Sequence, residues 1–192
     1  MTLIEILNQN NYIAEYRTDK ESRHKYCSLY YDKAFEDIKD KKLNILEIGI
    51  LNGSSLVLWN EFFKNSIIYG IDNSNLTENR LDAYPRIKTI IQDAYKKELT
   101  SNLPLFDIII DDGPHTLESQ KIFINHYFKK LNKNGKLIIE DVLGDFNLNE
   151  LLKEANKFSS NIKILDLRDT TKTEDSIIIE IQNDLDAHYL VA

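Results

Sequence analysis

Short apolar runs alternate with amphipathic stretches from Leu43 onward, and the alternation predicts the fold. Asn44–Ile48 (NILEI), Ile67–Ile71 (IIYGI), Ile87–Ile91 (IKTII), Phe106–Ile110 (FDIII) and Lys136–Ile139 (KLII) have strand length and β-branched character. Between them, Ser54–Phe63, Leu76–Tyr84 and Leu117–Leu131 read as helices. The first is capped by Ser54 or Ser55, Pro85 follows the second, and Asn134-Gly135 ends the third. One more helix, Leu148–Phe158, precedes two strands, Ile162–Leu167 and Ser176–Ile181. Their polar connection, Arg168 to Asp175, is too short for a helical crossover, so the two should be antiparallel neighbours. The expected class is α/β: a doubly wound, mostly parallel seven-stranded sheet closed by an antiparallel hairpin.

Upstream, Leu3 to Ala34 reads as mainly helical, with Leu3, Ile4, Leu7, Tyr26, Leu29, Tyr30 and Phe35 recurring at three-to-four spacing. Tyr16 to Lys25 gathers cations in an otherwise acidic chain and suits either an exposed mixed-charge face or a lid. Residues 1–40 are therefore expected to form a helical segment packed on a core of residues 41–192, within one domain.

Composition narrows the function. With 192 residues, 42% hydrophobic, the chain can bury one substantial core. A net charge of −7 provides no basic excess to meet nucleic acid phosphates, which favours a small-molecule partner. Cys27 is the single cysteine and excludes an intramolecular disulfide, as expected in the cytoplasm. No apolar run approaches the roughly 18 residues of a membrane span, and the opening MTLIEILNQNN lacks a basic region typical of a signal peptide. Asp184 to Ala192 reads as a tail or as a homo-oligomer contact.

Candidate chemistry lies just after the strands. Glu47-Ile48-Gly49-Ile50-Leu51-Asn52-Gly53-Ser54 joins the first strand to a helix, and its glycines allow a sharp turn that approaches a ligand closely. Leu51 stands where the dinucleotide fingerprint has its second glycine, and no Gly-Lys-Ser/Thr follows, so a nucleoside-like ligand without a diphosphate is expected. Asp72 ends the second strand, where a carboxylate can accept from ribose hydroxyls, and Asp93 ends the third, within reach of a base amino group. The fourth ends in Asp111-Asp112-Gly113-Pro114-His115 and the fifth in Glu140-Asp141. Each acid alone is as well explained by a turn or helix cap. Their recurrence at one end of successive strands points to a shared site.

The ordered set Glu47-x-Gly49-x-x-x-Gly53, Asp72, Asp93 and a final antiparallel strand resembles the class I S-adenosylmethionine-dependent methyltransferases. Thr18-Asp19-Lys20, His24, Tyr26, LEIGILNGSS, IDDGPH and IIEDV resemble, more narrowly, the metal-dependent mycinamicin-type sugar O-methyltransferases. The resemblance implies an S-adenosylmethionine pocket formed by Glu47, Gly49, Gly53, Ser54, Asp72, Asp93 and Asp111, with Lys20 lying over it. It also implies that Asp112, Glu140 and Asp141 hold a divalent ion. Three carboxylates without a thiolate suit a hard cation such as Mg²⁺. His115, three residues beyond Asp112, is placed to take the proton of an acceptor hydroxyl. Lys20 and Arg23 carry charge suited to the phosphates of a nucleotide-linked sugar. The alternatives are metal-independent methylation of another small molecule, with the acids as caps, and a cofactor-binding module without chemistry.

Overall fold

The computed structural model describes residues 1–9, 18–77 and 80–184. Among them, seven strands form one sheet in the order β3-β2-β1-β4-β5-β7-β6. The strands are β1 (Asn44–Ile48), β2 (Ile67–Asp72), β3 (Ile87–Ile91), β4 (Phe106–Asp111), β5 (Leu131–Ile139), β6 (Ile162–Asp166) and β7 (Ile177–Gln182). The first five pair in parallel, and β7 runs antiparallel between β5 and β6. Chain order reverses across the β1–β4 pair, and it is outside the carboxyl ends of such a pair that open α/β sheets bind ligands.

Helices cover both faces, which is why the central strands are apolar on both sides. On one face lie α1 (Leu3–Gln9), α2 (Asp19–Ser22), a π-helical turn (Cys27–Tyr31), α3 (Asp32–Phe35) and α4 (Ser54–Phe62). Their aromatic side chains interlock there: the Tyr31 ring meets Trp59 edge-on at 5.0 Å, and Phe35 lies 5.3 Å from Phe63. After the short α5 (Lys97–Ser101), α6 (Leu117–Tyr127) and α7 (Gly144–Ala155) bury Phe123, Ile124, Tyr127 and Leu151 against the other face. Thr116 and Ser119 form a reciprocal capping box at the start of α6. A four-residue helix, α8 (Arg168–Thr171), lies within the expected polar connection. Among the described residues, no helix is long and apolar enough to cross a membrane.

Several expected boundaries move. A helix over Leu76–Tyr84 does not form: residues 80–83 are turns, and residues 78 and 79 lie outside the described set. Just before that stretch, Asp72 Oδ1 accepts from both the Ser74 amide (2.9 Å) and the Ser74 hydroxyl (2.8 Å), which turns the chain as it leaves β2. The helix over Leu117–Leu131 stops at Tyr127, a 3₁₀ turn spans Phe128–Lys130, and β5 begins at Leu131. Asn134-Gly135 thus falls in the strand, where Asn134 takes a φ of 62° and the β4–β5 register shifts between Phe106 and Ile108. The turn-forming residues are used to bulge a strand instead of ending a helix. The last long helix starts at Gly144, four residues before the expected Leu148. The described parts of the N-terminal segment are mainly helical as expected, at Leu3–Gln9, Asp19–Ser22, Cys27–Tyr31 and Asp32–Phe35, and residues 10–17 lie outside the described set. The expected tail also lies outside it, apart from Asp184.

Candidate active site

At the carboxyl ends of β1–β4 lies a cleft of about 520 Å³, lined among others by Gly49, Leu51, Asp72, Asp93, Tyr95, Asp112 and His115. Gly49 makes this convergence possible. With a φ of +82°, it lies so near the next loop that an added Cβ would stand 1.9 Å from the Asp112 carbonyl oxygen. Only a residue without a side chain fits. Asp72 then braces the turn, its Oδ2 accepting from the Ile50 (2.9 Å) and Leu51 (3.0 Å) amides. Although partial burial opposes it, bonds from Ser74, Leu51 and Ile50 hold the Asp72 carboxyl below its usual range, so it stays ionised. Asp93 accepts from the Tyr95 amide at 3.0 Å.

Other expected cofactor residues stand behind the cleft. Glu47 is fully buried, with Oε2 accepting from the Trp59 indole (3.1 Å) and Oε1 facing the Lys20 ammonium (3.0 Å). Gly53 is the N-cap of α4 at a φ of +83°, which replaces the expected serine cap, and the Asn52 side chain receives the Ser54 amide and hydroxyl. Asp111 is also fully buried and accepts from the Tyr95 hydroxyl at 2.8 Å. Burial pushes its carboxyl up to about 7 against the pull of Tyr95 and the Gly113 amide. Asp111 therefore supports the DDGPH turn, and Tyr95, which the sequence reading passed over, lines the cleft and fixes that support.

The β4–β5 end is more heavily charged. His115 Nε2 lies 3.7 Å from Asp112 Oδ1 and 3.6 Å from Asp141 Oδ2, and this trio is one of two groups among the described residues that could hold a metal ion. The other is Glu47, Asp112 and Glu140. Lys20 sits in the middle of that second group: Nζ is 2.7 Å from Asp112 Oδ2, 3.0 Å from Glu47 Oε1, and in contact with Glu140 Oε2. Burial alone would lower the Lys20 pKa, yet the surrounding charges of Asp112, Glu140 and Glu47 hold it well above the ordinary value. The three acids expected to share one ion are thus divided, with Glu140 turned toward Lys20 and Asp141 toward His115. Lys20 is only 1% exposed and cannot reach the phosphates of a substrate. Arg23 stands outside, paired with Asp175 at 2.9 Å.

Tyrosines complete the arrangement. The Tyr31 hydroxyl donates to Glu140 Oε1 (2.8 Å) and the Tyr26 hydroxyl to Asp141 Oδ1 (2.7 Å). His24 stacks on Tyr26 at 4.9 Å, and its Nδ1 meets Ser176 Oγ at 2.9 Å. Burial keeps His115 below its usual pKa even though Asp141 pulls the other way, which leaves a neutral ring at neutral pH. Leu51, His115 and Asp141 all have positive φ, at 45°, 56° and 53°. Three non-glycine residues in this sparsely populated region, all at strand ends around one cleft, mark backbone held against its preference.

No family model matches the chain. It is 28% identical over 136 residues to the 8-demethyl-8-alpha-L-rhamnosyl tetracenomycin-C 2′-O-methyltransferase of Streptomyces olivaceus, covering 65% of this chain and 35% of that protein. It is 29% identical over 144 residues to the demethylmacrocin O-methyltransferase of Streptomyces fradiae, covering 69% and 36% respectively. The chain spans about a third of the length of these curated relatives. Among solved structures, the MycE methyltransferase of the mycinamycin biosynthetic pathway, in complex with Mg and SAH, superposes with a TM-score of 0.63 at 28% identity, covering 73% of this chain and 36% of that one. The Methanococcus jannaschii fibrillarin pre-rRNA processing protein shares the fold, with a TM-score of 0.60 at 21% identity, covering 76% and 67%. The chain thus has the Rossmann-like α/β fold of the class I methyltransferases and is similar in sequence to sugar O-methyltransferases over about a third of their length.

Proposed function

We propose that the chain binds S-adenosylmethionine in the cleft and transfers its methyl group to a hydroxyl of a sugar carried by a small molecule, with a divalent ion, Mg²⁺, assisting. The observation that carries this reading is that one volume is lined by Gly49, Asp72 and Asp93 at one end and by Asp112 and His115 at the other. A nucleoside cofactor held by the first group would share this volume with an acceptor held by the second. Residues 1–40 serve as the cover of that second end, and residues 41–192 as the catalytic core.

The donor set suits a hard cation. Asp112 and Asp141 present carboxylate oxygens beside His115, with Glu140 next in sequence. Burial, reinforced by the charges of Glu140 and Glu47, holds the Asp112 carboxyl well above its usual range despite Lys20, and burial pushes Glu140 up to about 7. Acids this crowded are relieved by added positive charge. When bound, such an ion supplies Lewis-acid polarisation of the acceptor hydroxyl.

The chain's own residues do the rest. On this reading Asp72, braced by the turn amides, accepts from the ribose hydroxyls in exchange for its bond from the Ser74 hydroxyl, and Asp93 accepts from the base. Neutral His115 takes the hydroxyl proton at Nε2 as the acceptor oxygen forms its bond to the methyl carbon. The bound cofactor would supply the methyl group, its carbon–sulfur bond breaking with the electron pair left on sulfur so that the sulfonium charge is lost. Tyr26 holds Asp141, and Tyr95 holds the loop that carries His115. The acceleration is largely one of positioning, with oxygen, methyl and sulfur in line.

Purified protein incubated with S-adenosylmethionine, with and without Mg²⁺, against a panel of glycosides and nucleotide-linked sugars should yield singly methylated products by mass spectrometry. Undiminished turnover after exhaustive chelation would remove the metal from the reading. Cofactor binding with no methylated product from any hydroxyl acceptor would remove the activity.

A further inference from the structure

The ionisable groups behind the cleft form two clusters that share Asp112. At the mouth, Asp112, His115 and Asp141 gather, and one step deeper Glu47, Asp112 and Glu140 do the same, with ligand atoms in each group within 4.8 Å of one another. The inner group already contains a cation, the Lys20 ammonium. It donates to Asp112 Oδ2 and Glu140 Oε2 and lies 3.0 Å from Glu47 Oε1, an ion-pair contact without a hydrogen bond. The outward oxygens of that group are also engaged: Glu47 Oε2 by Trp59 and Glu140 Oε1 by Tyr31. Asp112 alone faces both ways, with Oδ2 toward Lys20 and Oδ1 toward His115.

We propose that Lys20 is a built-in competitor of the divalent ion: a positioning residue whose ammonium claims Asp112 and Glu140 and so limits how tightly the crevice takes up metal. This rests on the metal-assisted reading above. An ion held by Asp112 would stand close to Nζ, and the like charges repel. Each must therefore weaken the other's hold on the shared carboxylate. Lys20 is enclosed among these acids at 1% exposure, and its helix is held nearby by Arg23 to Asp175 and by His24 to Ser176. Without the ammonium, the inner group becomes three carboxylates around one point, a hard oxygen donor set of the type that binds Mg²⁺ or Mn²⁺. A purely structural Lys20 leads to the opposite expectation, since its removal would loosen the carboxylates and weaken metal binding.

The sign of the change decides between them. Mn²⁺ uptake by the full chain, followed by calorimetry and by the electron paramagnetic resonance signal of the free ion, is compared for wild type, K20M and K20M/E47Q. The double variant drops one charge of each sign, and its amide oxygen at position 47 still accepts from Trp59, so it carries the test if K20M does not fold without metal. K20M should bind Mn²⁺ about tenfold tighter than wild type, the scale on which groups behind a first ligand act, and K20M/E47Q, which keeps Asp112 and Glu140 but loses one inner carboxylate, should also bind tighter than wild type though by less than K20M. Their thermal midpoints should also rise more steeply with added Mn²⁺. Wild-type binding with equal or weaker binding by the variants overturns the proposal and leaves the metal-assisted reading standing. No uptake by any of the three proteins overturns both.

Discussion

At the β1–β3 end of the cleft, each acid is satisfied by its own neighbourhood: Asp72 by the amides of Ile50, Leu51 and Ser74, and Asp93 by that of Tyr95. At the β4–β5 end, the acids also follow strands, but their partners arrive from far along the chain. Lys20 reaches Asp112 across 92 positions and Glu140 across 120, and Tyr26 reaches Asp141 across 115. The first end is a product of strand–turn–helix geometry alone, whereas the second is complete only when residues 18–31 have docked. Cofactor binding and metal binding should therefore fail separately, except where one substitution strikes the junction between the two ends.

Gly49 is that junction. Gly49→Ala would force a Cβ to within 1.9 Å of the Asp112 carbonyl oxygen at a φ of +82°, adding a left-handed backbone cost of roughly 1–2 kcal/mol to an outright clash. Both ends should be lost together, seen as a large fall in the thermal midpoint and no measurable cofactor binding. A variant that folds and binds normally would mean that the two loops are less closely apposed than described.

Two substitutions should then separate the ends. Asp72→Ala removes the brace of the glycine turn and the proposed ribose acceptor. By equilibrium dialysis, cofactor affinity should fall roughly 100-fold, the loss of two hydrogen bonds to a charged group, while Mn²⁺ uptake persists. His115→Ala should leave cofactor affinity unchanged and lower turnover by about 10²–10⁴, the usual share of a general base. Loss of cofactor binding in the histidine variant would contradict the division. At a finer level, Tyr26→Phe deletes the hydroxyl that holds Asp141 Oδ1. Mn²⁺ affinity should drop about tenfold with cofactor affinity intact, and unaltered Mn²⁺ binding would show that Asp141 needs no such support.

The same contrast explains what could be read in the sequence. β1 and β3 were legible to the residue because a β-branched run ended by a turn is a local signal, and the acids at the strand ends followed from it. Which acids face the cleft was not legible. Glu47 sits at a cofactor-binding position in the motif, yet Trp59 and Lys20, twelve residues downstream and in another segment, draw it inward. Tyr26 and Tyr31 occupy helical spacing that core aromatics share, so nothing in their pattern announces that their hydroxyls meet Asp141 and Glu140. Lys20 stands out as a cation in an acidic chain, but its partners are Glu47 and, 92 and 120 positions away, Asp112 and Glu140, so no local pattern separates a buried ion pair from a contact to cofactor or phosphate. Tyr95 had a usable signal: an aromatic hydroxyl two residues beyond a strand-end acid.

An effect confined to the pH dependence of stability concerns Asp111, which touches neither end directly but holds the loop between them. In an unfolded chain, an aspartate titrates near 3.9, whereas burial raises Asp111 to about 7 in the fold, against the pull of Tyr95 and the Gly113 amide. The folded state thus binds this proton more tightly than the unfolded state does. Asp111 contributes most to stability below the unfolded value, and that contribution fades as pH rises toward the folded one. Asp111→Asn fixes the neutral state while keeping an oxygen for the Tyr95 hydroxyl. In urea unfolding, its stability relative to wild type should improve by roughly 3 kcal/mol between about pH 4 and pH 7, a difference in which titrations common to both proteins cancel. A flat difference across that range would mean that Asp111 is ionised in the fold, and Tyr95 would then be bracing a charged loop rather than a neutral one.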